Sequence, residues 1–320
     1  MDEKQTSRQN KNNFHLAGII PVSGQPLDFK MPWDDHLMPV SKNYLAVERS
    51  IYECAMAGCE TIWIIANKDT MPLMRHRIGD WVLDPIINIR TLKEAKNPKD
   101  RFKQIPIYYV PISPKDKEIR MSIAHSILFA YKKISFICGA FSRWSTPGKF
   151  YVSFPYGVYS VKALHDHRHR FSSKESVFLQ SPDGKTAKDG EYLAFTFDTN
   201  DYRLYRDTFR SIEDKLWKGY WDPEANNMVK IRLPYDEQYT GRFITIVDIL
   251  EPAIITPENS IVLPWYNNIS SWANYKGYLS SKNSRTVRRP NSFLKYREFS
   301  KIGEDVAEEL KDEDILDFDE

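Results

Sequence analysis

Ser23, Gly24 and Gln25 stand directly after the apolar run LAGIIPV at 16–22, and Lys30 follows in the same polar stretch. Backbone amides beside a glycine, short polar side chains and a lysine are groups that hold phosphate or nucleotide oxygens. The spacing matches neither GxxxxGK[ST] nor GxGxxG, so the pattern alone leaves an ordinary glycine turn as the alternative. Asp80 and Asp84, in IGDWVLDP, are spaced i,i+4, which on a helix places both carboxylates on one face. Hard oxygen ligands of that kind suit Mg²⁺, although Pro85 limits how far such a helix runs. His165, His167 and His169 in HDHRHR would line one side of an extended segment, the most metal-like spacing in the chain. Arg168 and Arg170 oppose a cation there and favour a phosphate-facing basic loop or a solvated turn. Cys54 and Cys59 lie on or beside an apolar helical pattern and are read as buried small hydrophobes.

The elements that must position these groups alternate in type. LAGIIPV reads as a buried strand. Tyr44, Val47, Ile51 and Ala55 then recur at helical spacing until Gly58, and TIWIIAN at 61–67 is a second strand, which makes a βαβ unit. A short helix is expected from Thr70 through MPLMRHRIGDWV, a strand over IPIYYVPI at 105–112, a helix over 118–133, and a strand over ISFICGAF. Such alternation predicts a mostly parallel, Rossmann-like sheet covered by helices. In the second half the expectation changes to strands over KFYVSFPYGVYSV, YLAFTFDT and RFITIVDIL, a helix over SIEDKLWKGYW and a long loop over SSKESVFLQSPDGKTAKDG. The division expected is a polar arm at 1–14, an α/β core at 15–175, an α+β extension at 176–300 and an acidic tail at 301–320.

Charge is distributed unevenly. The chain of 320 residues has a formal net charge of +2. Residues 304–320 carry ten acids against one lysine, so 1–303 carry +2 − (−9) = +11. A basic body points to a negatively charged partner. Residues 282–301 hold seven basic side chains and one acid, with Phe293 and Tyr296 among them. Arg285, Arg288 and Arg289 could track a nucleic-acid backbone there, or dock a protein or another copy of the chain; a basic surface loop answered by carboxylates is the plainer reading. The aromatics of WYNNISSWANY at 265–275 are candidate interface anchors. Three cysteines and no apolar leader predict a cytoplasmic chain, of a host cell or a virion, that does not insert in a membrane.

LAG near the start, a loop, then P-W-D-D-H-L-M-P-V at 32–40, a helix and TIWIIAN together resemble the opening of the sugar-phosphate nucleotidyltransferases, the nucleotide-sugar pyrophosphorylases. The resemblance covers roughly 15–160 and implies a nucleotidyltransferase or GT-A type of sheet with the strand-rich extension behind it. It implies joining of a nucleoside triphosphate to a phosphorylated sugar, with a divalent metal and release of pyrophosphate. Ser23, Gly24 and Gln25 would then surround the nucleotide. Trp33 occupies the family's lysine position, which leaves Lys30 or Lys42 for phosphate. The strands expected after the long helix contain no acid, so Asp80, with Asp84, is the candidate for the metal. Two other readings stand beside this one: a non-catalytic assembly protein of a large particle, or nucleic-acid binder, on the same scaffold, and a glycosyltransferase that uses a nucleotide-sugar.

Overall fold

The computed structural model describes residues 15–23, 34–86, 103–112, 122–140, 146–213, 217–232 and 244–290. Gly24, Gln25, Lys30, Trp33, Phe293, Tyr296 and the acidic tail lie outside them.

The chain opens with β1 (Leu16–Pro21), buried throughout. A 3₁₀ turn at Asp35–Leu37 leads to the short antiparallel pair β2 (Pro39–Ser41) and β3 (Tyr44–Leu45). Helix α1 (Ala46–Ala57) follows, with Glu48 accepting from the Leu45 amide at 2.9 Å to hold its first turn. Gly58 ends it in the left-handed region at φ +96, as the sequence predicts. Beyond it lie β4 (Thr61–Ala66), α2 (Met71–Ile78), β5 (Trp81–Leu83) and β6 (Gln104–Pro111). Helix α3 (Ile123–Ala140) leads to β7 (Lys149–Val152) and β8 (Gly157–Tyr159), and a 3₁₀ stretch at Val161–His167 runs into α4 (Arg168–Phe171). The remainder comprises β9 (Phe178–Gln180), β10 (Phe195–Phe197), α5 (Thr199–Glu213), the hairpin β11 (Trp217–Asp222) and β12 (Asn227–Arg232), α6 (Ile246–Leu250), β13 (Ser260–Val262), β14 (Tyr266–Asn268) and α7 (Trp272–Ser280).

Eight strands form one mixed sheet in the order β13-β9-β10-β7-β1-β4-β6-β5. Its centre, β7-β1-β4-β6, is parallel, while β10 is antiparallel to β7 and β5 to β6. The topology is Rossmann-like at the centre. Strands β9, β10 and β13 extend this same sheet.

Alternate residues of β1 face opposite layers. Leu16 and Ile20 pack toward α1, whereas Ala17 and Ile19 pack toward α3, α5 and α6. Gly18 faces Cys54 and Cys59; a Cβ there would lie 2.9 Å from Cys54 Sγ, so the missing side chain lets α1 sit close on the sheet. All three cysteines are free and buried, as expected of Cys54 and Cys59.

Four local expectations are corrected. ISFICGA, at 134–140, is the last part of α3, not a strand: Ile127, Ala130, Ile134 and Cys138 continue one buried helical face while Phe136 is exposed. The described part of RFITIVDIL, 244–250, is not a strand either; Thr245 and Asp248 form a reciprocal capping box that opens α6. SIEDKLWKGYW divides, its start ending α5 and its WKGYW forming β11. VFLQ, placed in a long loop, supplies β9. Among the described residues, no helix is long and apolar enough to cross a membrane.

Candidate functional site

β1 is flanked by β4 on one side and β7 on the other, and the helices that follow β1 and β6 pack on opposite faces. The crevice beyond the carboxyl ends of β1 and β7 is therefore the topological switch point, where open α/β sheets bind ligands. Ser23, just past β1, is fully buried there, and its Oγ lies 2.8 Å from Ser126 Oγ in the first turn of α3. Ser126 Oγ is also 3.1 Å from the Ser23 carbonyl oxygen and 2.9 Å from that of Ser122. With one proton, the Ser126 hydroxyl donates to one carbonyl at a time and can accept from Ser23. Ser122 Oγ accepts from the His125 amide at 3.1 Å, capping the helix. These serines fasten the exit of β1 to the positive end of the α3 dipole. Across the crevice, Ser153 donates its amide to Ile19 at 3.0 Å, and its buried hydroxyl has no hydrogen-bond partner among the described residues.

Ser122, Ser126 and Ser153 escaped the sequence reading. Serines spaced i,i+4 before a periodic apolar run are a helix-start signal that could have found the first two. Asp34 and Asp35 also went unassigned, although they lie in the segment that carries the family resemblance. Burial raises the Tyr156 hydroxyl well above its ordinary range, and the charge of Asp35, then that of Asp34, adds to the effect. Both carboxylates are half-buried and so approach the β7–β8 connection.

The other sequence candidates are dispersed. α2 ends at Ile78, and Asp80 and Asp84 flank strand β5 instead of sharing a helix face. Four residues of strand separate their Cα atoms by about 13 Å. Asp80 is exposed and held by Arg75 at 2.7 and 3.2 Å. Asp84 is fully buried, accepts from the Ile86 amide at 3.0 Å and takes both Arg168 terminal nitrogens, at 2.9 and 3.4 Å. Its carboxylate is turned to structural work. Lys42 is exposed on the β2–β3 turn beside Asn43, which Arg77 holds, and no contact among the described residues joins it to Ser23.

HDHRHR is 3₁₀ and α-helical, so its histidines do not line an extended edge. Arg168 crosses over Gly58, where a Cβ would come within 2.5 Å of its Nε, and Arg170 donates to the Glu258 and Ser260 carbonyls. Arg285, Arg288 and Arg289 do not form one outward row, because Arg289 turns in to Glu48 at 3.3 Å. Of the aromatics expected as interface anchors, Tyr275 is buried and donates to the Pro39 carbonyl, Trp265 and Tyr266 are half-buried with Tyr266 donating to Glu191, and Trp272 is exposed.

No family model matches the chain, and no curated protein matches it in sequence. Solved structures do match. A candidate glucose-1-phosphate thymidylyltransferase from Bacillus anthracis, in complex with a sucrose, aligns at TM-score 0.51 and 12% identity over 87% of this chain and 98% of that one. The chain has a mixed α/β, Rossmann-like fold that resembles that of this thymidylyltransferase. A UDP-glucose pyrophosphorylase complexed with UDP-glucose aligns at TM-score 0.46 and 10% identity, covering 85% of this chain and 98% of that one. A protein from Mycobacterium tuberculosis H37Rv aligns at 0.45 and 8%, covering 84% and 98%.

His36 gives the stability of the fold a pH dependence. Its ring is 2% exposed, and its Nε2 has no hydrogen-bond partner among the described residues. Burial lowers its pKa from 6.5 to about 4, against the opposing pull of Asp34. Because the folded pKa lies below the unfolded one, the unfolded chain binds the extra proton between those values and stability rises with pH. About 3 kcal/mol is accordingly lost as pH falls from the ordinary histidine range toward 4. Urea unfolding at a series of pH values should show this slope, and His36→Gln should flatten it; an unchanged slope would place the titration elsewhere.

Proposed function

We propose that the chain binds a nucleoside triphosphate or nucleotide-sugar at the switch-point crevice and transfers the nucleotidyl group to a phosphorylated sugar or similar small molecule. The observation that carries this reading is the Ser23–Ser126 junction, which aims the start of an 18-residue helix at the exit of β1. Helix amides at that point satisfy phosphate oxygens, and the helix dipole favours their charge. Ser23 and the neighbouring Gly24 and Gln25 would border the nucleotide, and Lys30 would add charge to its phosphates.

A magnesium ion belongs to this chemistry. Among the described residues, no three His, Cys, Asp or Glu side chains converge on one point. The adjacent carboxylates of Asp34 and Asp35 fit the ion's preference for one or two protein carboxylates with water and phosphate oxygens completing the shell. When bound, it would neutralise charge developing between phosphates. The protein's own part is to hold the triphosphate in line with the attacking phosphate, on a strand exit that the Ser23–Ser126 contact keeps fixed to the start of α3.

A second reading, a non-catalytic binding or assembly protein on the same fold, has its own support. The exit of β7 reads Ser153, Phe154 and Pro155, with no acid. The β11–β12 hairpin exposes Trp221, Met228 and Ile231 at 55%, 63% and 51%. Titration of the folded chain with nucleotides, with and without Mg²⁺, tests the binding they share, and pyrophosphate release on adding a sugar 1-phosphate separates the two.

A further inference from the structure

On the face of the sheet that carries α1, opposite α3, a cavity of about 680 Å³ opens between α1, the segment after β8 and residues 286–290. The size falls within the range of about 300–1,000 Å³ that small-molecule sites occupy. Four of its lining side chains are cationic, Arg49, Lys162, Arg288 and Arg289, and no lining residue is an acid. Two of these charges are answered from behind. Arg49 pairs with Glu53 at 2.9 Å, and Arg289 shares Glu48 with Arg77, at 3.3 and 3.0 Å, both carboxylates fully buried. Lys162 and Arg288 have no ion pair or hydrogen bond to another described residue, which leaves about two positive charges facing the cavity. Tyr52 and Trp265, both half-buried, supply aromatic surface on the same wall.

We propose that this cavity is a binding site for a small ring-bearing phosphate monoester of the nucleoside 5′-monophosphate class. A phosphate monoester carries about −1.5 to −2 at neutral pH, which matches the charge left by Lys162 and Arg288. The planar ring lies against Tyr52 or Trp265, where stacking is tolerant of ring identity. The site is separate from the switch-point crevice, since none of Ser23, Ser122, Ser126, Asp34 or Asp35 lines it.

The test titrates the full-length protein with AMP, adenosine and inorganic phosphate while following tryptophan fluorescence. AMP is expected to saturate with a quench that Trp265→Phe removes, and each half-molecule to bind more weakly. The surface variant Lys162→Ala/Arg288→Ala should weaken AMP by roughly tenfold to hundredfold while leaving nucleoside triphosphate affinity at the crevice as in wild type. Three results would overturn the proposal: no response to AMP from folded protein, an AMP affinity that the double variant leaves intact, or parallel loss of AMP and triphosphate affinity, which would make the two sites one. The crevice reading fails by a different result, silence toward triphosphates with AMP binding retained.

Discussion

Arg168→Ala is expected to destabilise the fold by about 3–5 kcal/mol, because it leaves the Asp84 carboxylate buried without its counter-ion. Asp84 lies at the end of β5 and Arg168 at the start of α4, so this pair ties the edge of the sheet to the 3₁₀ and α-helical segment that packs beside α1. The path of the arginine depends on Gly58, which ends α1 in a left-handed conformation and offers no Cβ to block the Arg168 side chain. Adding Asp84→Asn to Arg168→Ala should recover a large part of the loss, since an amide is far cheaper to bury than an unpaired charge. Equilibrium urea unfolding measures both. A single variant within about 1 kcal/mol of wild type would mean that the Asp84–Arg168 pairing is incidental to stability.

Arg49→Ala is expected to have a comparable effect for a related reason. Arg49 and Glu53 lie one turn apart on α1, with side chains 2% and 0% exposed. Glu53 also accepts from the Tyr151 hydroxyl at 2.8 Å, and the Arg49 guanidinium lies 4.2 Å from the centre of the Tyr159 ring. The group thus joins α1 to β7 and β8 across the interior. Removing the arginine leaves the buried Glu53 carboxylate without its counter-ion, at a cost of about 3–5 kcal/mol. Replacing both partners with apolar residues, as Arg49→Met/Glu53→Leu, should come much closer to wild type, because the desolvation of two ions is then avoided. If the double variant were as unstable as the single one, packing would be the dominant contribution of Arg49 and the ionic account would be wrong.

The central sheet was readable because its first strands and helix are long and punctuated. LAGIIPV and TIWIIAN are continuous apolar runs, and Gly58 marks the end of the helix between them. ISFICGAF misled because isoleucine and phenylalanine suit a strand locally, whereas the deciding information is the phase that Ile134 and Cys138 share with Ile127. Strands of three residues such as β9 are too short to show a period, and they exist because the neighbouring strands of the sheet select them. Ser23 was legible from its place after the first strand, but its partner Ser126 is 103 residues away. Asp84 and Arg168, 84 positions apart, are beyond any spacing rule. The pocket is assembled from residues between Tyr44 and Pro290, so only the folded chain reveals it.

The measurement that bears most directly on the switch-point account is calorimetric titration of the folded chain with a panel of nucleoside triphosphates and nucleotide-sugars, with and without Mg²⁺, repeated on Asp34→Asn/Asp35→Asn. The account predicts saturable binding of at least one triphosphate by the wild-type chain, strengthened by Mg²⁺, with that strengthening lost in the double variant. Silence across the whole panel from protein shown to be folded, or a Mg²⁺ dependence untouched by the two substitutions, would contradict it.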